Sequence, residues 1–299
     1  MKSRILYFGI NPSPHPWPDI KKFGEWCIRV EELGYDAIFM PDHYDLPVPQ
    51  FPSNVLLDAW TTLAYIAART DKIKVGSLVS PIPRWIPSQL AKVIATVDLL
   101  SGGRVIAGFG VGFHPGEFIN YSPSFSWDGA SVRIEKFIEG LKVILKLWTE
   151  DKVTFSGKYY TLKDAVLFPK PLQKPHPPLW SGGMGPQMMK IAARYFDGWI
   201  AHSAPSPHRI ESPEDYKARF EIMKKYLREF GRDESKFLFG YLLMIGFIVK
   251  DVKDAAKVIE DYKEAGCQYF VVEFTPNPPP DKYLELTKIF AKDIIPSFT

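Results

Sequence analysis

Asp42 and His43 stand side by side in the run PDHY (Pro41–Tyr44), directly after the apolar segment Ala37–Met40. An imidazole titrates near neutral pH and can move protons, and a carboxylate beside it can orient the ring or balance its charge. An isolated Asp-His pair is equally a plain loop histidine, so the chemistry depends on where the pair sits. Two other stretches carry a similar double reading. KVGSLVSPIP (Lys74–Pro83) places small Gly76 and Ser77 ahead of Pro81 and Pro83. This is an ordinary strand exit or a distorted backbone that supports a ligand. WSGGMGP (Trp180–Pro186) is a glycine turn opening a helix, where free N–H groups and the helix dipole suit a phosphate.

The segment GRVIAGFGVGFHPGEFIN (Gly103–Asn120) alternates Gly108, Gly110 and Gly112 with Phe109, Val111 and Phe113. A dinucleotide fingerprint needs a turn leading straight into a helix, with an acidic residue about 20 positions on. Here Phe113-His114-Pro115 follows, and then a loop is expected. A period of two places the three glycines on one face of a strand. That bare face leaves room for a flat ring or substrate to approach the backbone.

Other reactive residues are less informative. His15, His176 and His208 lie among prolines and read as solvated or structural; His114 is a secondary candidate. Arg84 and Arg209 read as solvated loop residues. Trp17, Trp85 and Trp127 fall in loops, where walling a pocket and ordinary packing are equal readings. No histidine or carboxylate spacing suits a metal, so none is expected. Ser101-Gly102-Gly103 is a helix C-cap rather than a nucleophile turn. Cys27 and Cys267, the two cysteines, sit in apolar-periodic segments and are expected as buried thiols in a reducing compartment.

The elements that must position these residues alternate along the chain. Strand candidates recur near Ile5 (in Arg4–Ile10), Ala37, Val75, Ile106, Leu179, Trp199, Phe239 (in Lys236–Val249) and Val271. Helical periodicity fills the gaps, for example Asp19–Leu33, Asp58–Arg69, Ser88–Leu100, Ala130–Trp148 and Pro213–Phe230. VTFSGKYYTL (Val153–Leu162) reads as a hairpin turning at Ser156-Gly157. Eight strand–helix units are the number that closes a TIM barrel. A doubly wound open sheet would cover both sheet faces as well. The even continuation to the C-terminus and the lack of a dividing linker favour the α/β, TIM (β/α)8 barrel, with insertions at the C-terminal ends of the strands. The reading is one domain over residues 1–299, with a main insertion at about 113–178. In a barrel the chemistry lies at strand C-terminal ends. Those ends offer Asn11, Asp42, His43, Ser77 to Ser80, Gly112 to His114, Glu117, Asn120, Ser181 to Gly183, His202 and Glu273.

Composition narrows the class. The 299 residues are 46% hydrophobic and 24% charged, with a net charge of +3. No dense basic run with interleaved aromatics points to nucleic acid. No apolar run of about 18 residues spans a membrane, and MKSRILYFGINPS is too short in apolar residues for a signal peptide. A cytoplasmic enzyme or binding protein is expected.

Read in order, VGSLVSP, LAKVIATVDLLSGGRVIAGFGVGFHPGEF, RIEKFIEGLKVILKLWTE, FSGKYYTL, FPKPLQKPHPPLWSGGMGP and AARYFDGWI resemble the luciferase-like family of flavin and deazaflavin oxidoreductases. The likeness is greatest to the branch using coenzyme F420. The resemblance implies a TIM-like barrel, a homodimer and a small-molecule substrate. It places Asp42 and His43 near the redox ring and a non-prolyl cis peptide at Ser77–Leu78, with Ser77, Leu78 and Val79 buttressing the ring. It puts Glu117 and Asn120 beside the ring and assigns the cofactor phosphate to Gly182 and Gly183. His43 is then the first choice for proton transfer and Glu117 the second acid–base group or an orienting partner. The alternative within the same resemblance is an FMN-dependent monooxygenase fed by a separate reductase. A third reading is a flavin-binding barrel without catalysis.

Overall fold

The computed structural model describes residues 6–12, 17, 19–45, 56–204, 206, 208–246, 251–276 and 278–298. In chain order the first elements are β1 (Tyr7–Ile10), α1 (Ile20–Glu32), β2 (Ala37–Met40), α2 (Ala59–Arg69), β3 (Lys74–Ser77), β4 (Ser80–Pro81) and α3 (Pro87–Leu100). Next come β5 (Val105–Gly110), α4 (Pro115–Tyr121), α5 (Ala130–Thr149), β6 (Val153–Ser156), β7 (Thr161–Ala165), β8 (Leu179–Ser181) and α6 (Pro186–Tyr195). The last are β9 (Gly198–His202), α7 (Pro213–Glu229), β10 (Leu238–Ile245), α8 (Ala255–Glu264), β11 (Tyr269–Phe274) and α9 (Pro280–Ile289). Of the sequence expectations, Arg4, Ile5, His15 and the extension Phe247–Val249 lie outside the described residues.

Local chemistry sets the boundaries. Asp19 accepts from the amides of Lys21 and Lys22 at 2.8 and 3.4 Å and so caps α1, satisfying N–H groups that have no partner inside the helix. Proline occupies the first turn of α3, α4, α6, α7 and α9, where its missing N–H costs nothing. Ser101, Gly102 and Gly103 do end α3, both glycines with positive φ.

The strands pair in parallel in the order β3-β2-β1-β11-β10-β9-β8-β5, and pairing of Val75 with Val105 joins β3 to β5. The ring is closed, so the chain forms the expected eight-stranded TIM barrel. Its inner face is packed by Ala37, Phe39, Ile106, Trp180, Ile200, Tyr269 and Val271. Phe39 stacks on Trp180 with centroids 5.2 Å apart, and Tyr269 meets Trp180 edge-on at 4.8 Å. The outer strand faces and the helices bury a second, larger core. Cys27 and Cys267 are both buried there as free thiols. Among the described residues no helix is long and apolar enough to cross a membrane.

Two expectations change. The segment after β5 is not wholly a loop, because Pro115–Tyr121 forms α4. And residues 113–178 do not all stand at the C-terminal ends of the strands. They include α5, the helix that links β5 to β8, and the antiparallel hairpin β6–β7. That hairpin follows α5 and precedes β8, so it joins the barrel at the opposite end. Its turn is held to α5 by the amides of Lys158, Tyr159 and Tyr160 donating to Glu139.

Candidate active site

Three loops at the C-terminal end of the barrel bring four charged or titratable residues together. Beyond β2, Pro41 ends pairing and Asp42 and His43 follow. After β4, a single helical turn of Ile82–Arg84 delivers Arg84. After β5, α4 carries Glu117 in its first turn. Arg84 is 2% exposed, Asp42 is fully buried and Glu117 is 1% exposed, so the ion pairs they make are desolvated. The Arg84 Nη2 donates to Asp42 Oδ1 and its Nη1 donates to Glu117 Oε1 at 2.9 Å. The guanidinium lies over the Tyr44 ring, 4.0 Å from its centroid, a cation–π contact that helps to satisfy a cation out of water.

Each carboxylate has further donors. Trp85 Nε1 donates to Asp42 Oδ2 at 3.0 Å. Trp60 Nε1 donates to Ser80 at 3.0 Å, and Ser80 bonds Asp42. The amide of Tyr44 donates to Glu117 Oε1 at 2.6 Å. His43 Nδ1 lies 3.2 Å from both Glu117 oxygens, and the Phe113 ring meets its imidazole edge-on at 5.3 Å. Burial works to raise the Glu117 pKa, but the His43 bond and charge, Arg84 and the Tyr44 amide outweigh it, and the carboxyl sits below its ordinary range. For Asp42 burial wins, and Arg84, Ser80 and Trp85 offset it only in part. An ionised Glu117 can only accept. His43 therefore carries its proton on Nδ1 when neutral, leaving Nε2 as the lone-pair nitrogen.

A wall rises beside this cluster. Ser77 Oγ donates to the Gly108 carbonyl at 2.9 Å, and the Gly108 amide donates back to Ser77 Oγ at 3.2 Å. The Leu78 amide still donates to Met40 in β2 at 2.9 Å. The non-prolyl cis peptide is the next bond, Leu78–Val79. This corrects the expected Ser77–Leu78: pairing with β2 runs on through the Leu78 amide and the Ser77 hydroxyl still bonds β5, so the chain leaves the sheet one bond later. The inward faces of the glycines receive this departure. A Cβ on Gly108 would lie 1.9 Å from the Ser77 oxygen, and one on Gly110 would lie 2.7 Å from Val79 Cγ2. Gly182, from the end of β8, also abuts Val79. Gly112 lies past the strand with φ +76, so it leaves the period-two pattern.

The remaining expected residues scatter. The Gly182 amide donates to the Phe109 carbonyl and the Gly183 amide to Ser181 Oγ, both at 3.3 Å, so neither is free for a phosphate. The first turn of α6 just beyond has no side-chain cap, and the His208 ring lies against Gly185 there. Asn120 is exposed on α4, and no hydrogen bond ties it to the cluster among the described residues. His114 stands apart, its Nε2 4.0 Å from Asp45. Trp17 packs on Phe23, Trp26 and Tyr283 instead of lining the site, and Trp127 packs on Phe118.

Arg84 is the residue that sequence reasoning misplaced. Its signal was present: it is the one charged residue between Lys74 and Lys92, set among prolines and apolar side chains. A second polar group sits on the neighbouring strand ends. Asn11 Nδ2 donates to Glu273 Oε2 at 2.8 Å and Thr275 donates to Oε1 at 3.0 Å. Burial pushes Glu273 up to about 7 against these two bonds, and burial pushes His202, at the end of β9, down to about 4.

The arrangement can hold a flat ligand on an apolar wall and present a basic nitrogen beside it. A family model described as luciferase-like monooxygenase matches residues 5–271. An F420-dependent glucose-6-phosphate dehydrogenase of Microbacterium testaceum is 32% identical over 206 residues, 68% of this chain and 58% of that protein. An FMNH(2)-dependent dimethylsulfone monooxygenase of Pseudomonas putida is 36% identical over 151 residues, 50% of this chain and 40% of that protein. The chain thus spans less than two thirds of the length of these curated relatives. Among solved structures, an F420-dependent secondary alcohol dehydrogenase in complex with an F420-acetone adduct superposes with a TM-score of 0.81. It covers 98% of this chain and 99% of its own, at 24% identity.

Proposed function

The chain belongs to the luciferase-like monooxygenase family, and from that premise we propose that it is an F420-dependent oxidoreductase moving a hydride between the deazaflavin and a small organic substrate. The observation that carries the reading is the hold of Glu117 on His43 Nδ1 at 3.2 Å, which leaves Nε2 as the acceptor. The relatives named as F420-dependent dehydrogenases support the cofactor.

The residues present fit a planar ring. Leu78 and Val79 are partly exposed, and Gly108, Gly110 and Gly182 leave room for the Val79 side chain at the barrel mouth. Leu78 and Val79 would support one face of the ring and exclude water from it. The uncapped first turn of α6, with His208 beside it, suits the phosphate of the cofactor tail. When bound, the 8-hydroxy-5-deazaflavin supplies the carbon that accepts or gives the hydride.

The chain's own residues do the rest. His43 Nε2 takes the proton from a substrate hydroxyl, or returns it to a carbonyl oxygen in the reverse direction. Glu117 balances the imidazolium that forms. Arg84 fixes Glu117 so that the carboxylate does not follow the proton, and Asp42 fixes Arg84.

A homodimer is part of the same proposal. The exposed apolar side chains Leu100, Val166 and Phe168 are candidates for its contact surface. Light scattering is expected to give about twice the chain mass of 34.1 kDa.

The decisive experiment titrates the purified protein with F420 and FMN side by side, reading cofactor fluorescence. Saturable binding of F420 without FMN is expected. Binding of FMN alone overturns the reading and favours the reductase-fed monooxygenase.

A further inference from the structure

Glu273 and Asn11 are buried polar residues that the proton-transfer cluster does not use. Glu273 stands two residues beyond Val271, which packs inside the barrel, and Asn11 stands two beyond Gly9, whose Cβ would point at Phe39 and Tyr269. Both side chains therefore face inward at the mouth. In the ring order β11 lies opposite β5, and β1 lies opposite β8. Glu273 thus faces the Gly108–Val79 wall across the mouth, and Asn11 faces Gly182. Leu242, Leu78 and His202 also turn inward yet are partly exposed, so the mouth is not packed shut at their level.

With Glu273 ionised, most of the unspent hydrogen-bonding capacity here is acceptor capacity, beside one further N–H of Asn11 Nδ2. Each Glu273 oxygen has one donor, from Asn11 or Thr275, whereas a carboxylate offers about four acceptor sites. Asn11 Oδ1 is buried without a partner, which a folded chain rarely tolerates unless something supplies a donor. Cations are few in the described loops at the mouth. Among the described residues of the loops after the eight strands, the lysines and arginines are Arg84, Arg209 and Lys253. Arg84 spends both arms on Asp42 and Glu117, Arg209 pairs with Glu211, and Lys253 is exposed in the turn before α8.

We propose that Asn11 and Glu273 form the substrate-selecting station of this site, taking hydroxyl hydrogens of an uncharged polyhydroxylated substrate and turning away its phosphorylated counterpart. The proposal rests on the oxidoreductase reading of the barrel mouth and adds the substrate class. Thr275 and the amide of Asn11 hold the carboxyl in place and leave its other acceptor sites to a ligand.

The test measures binding of glucose and glucose 6-phosphate to the F420-loaded protein by calorimetry, in the wild type, Glu273→Gln and Asn11→Ala. The wild type is expected to prefer glucose by at least about tenfold, and each variant is expected to lose most of that preference. Asn11→Ala gives the answer if Glu273→Gln does not fold. Tighter or equal binding of glucose 6-phosphate to the wild type overturns the proposal. So does binding of neither sugar, or an unchanged preference in both variants. F420 is titrated into the same samples. Failure of the wild type to bind F420 sinks the oxidoreductase reading, whereas retained F420 binding with unaltered sugar preference sinks only the selecting station.

Discussion

Arg84 Nη1 donates to Glu117 Oε1 at 2.9 Å, and neither side chain is more than 1% exposed. The other arm of the same guanidinium holds Asp42. One buried cation thus keeps two carboxylates in place, one of which positions His43. Removing it leaves negative charges uncompensated in a dry site, the costly way to break a buried pair. Arg84→Ala is expected to lower stability by about 3–5 kcal/mol in urea unfolding. Arg84→Lys, with a point charge in place of a fork, is expected to fall between. A loss below about 1 kcal/mol for Arg84→Ala would mean that water reaches the cluster.

His43→Ala removes the nitrogen proposed to transfer the proton and leaves the Val79 wall intact. Turnover of any substrate accepted by the F420-loaded protein is expected to fall at least about 100-fold, with F420 affinity within about twofold of wild type. Glu117→Gln keeps an acceptor for Nδ1 but no charge for the imidazolium, so kcat is expected to drop as well. Unchanged turnover in His43→Ala removes the assigned role.

Glu273 makes stability depend on pH in a defined direction. Its folded value of about 7 exceeds the ordinary 4.5, so between those values the folded state binds more protons than the unfolded state. The contribution is fully present below pH 4.5, shrinks as pH rises, and is gone above about 7, for a total of about 3 kcal/mol. Glu273→Gln is always neutral. Its stability relative to wild type, from denaturant midpoints, is expected to rise between pH 5 and pH 8. Glu117 acts in the opposite sense, losing its contribution as pH falls below the ordinary carboxylate range, and cancels in this comparison.

Gly108 and Gly110 face the same wall but meet different atoms. A Cβ at position 108 collides with the Ser77 carbonyl, and one at 110 meets a Val79 methyl. A methyl can turn aside and a backbone carbonyl in a sheet cannot. Gly108→Ala is therefore expected to cost more than the ~1–3 kcal/mol of ordinary overpacking and to abolish F420 binding. Gly110→Ala is expected to stay within that range. Thermal melts and F420 titration of the two variants check the order.

Much of the barrel was legible in the chain itself. Period-two and helical patterns placed all eight strands, because each strand must turn one face to the helices and one to the interior. Asp42, His43 and Glu117 were legible as strand-end residues, and the structure brings them together. Asn11 and Glu273 were visible as positions, but nothing in the sequence joined them, since 262 residues separate the two partners.

What the sequence determined by itself is the set of elements and the ends at which polar groups gather, because periodicity and capping are local. What only the tertiary structure decided is pairing and burial. It turned Arg84 from a solvated loop residue into the buried tie between two carboxylates, since burial depends on what other loops cover. It moved the cis bond to Leu78–Val79, because hydrogen bonds to β2 and β5 fix where the chain leaves the sheet. And it closed the ring, which sets the ends of β1 and β11, with Asn11 and Glu273, across the barrel from β8 and β5.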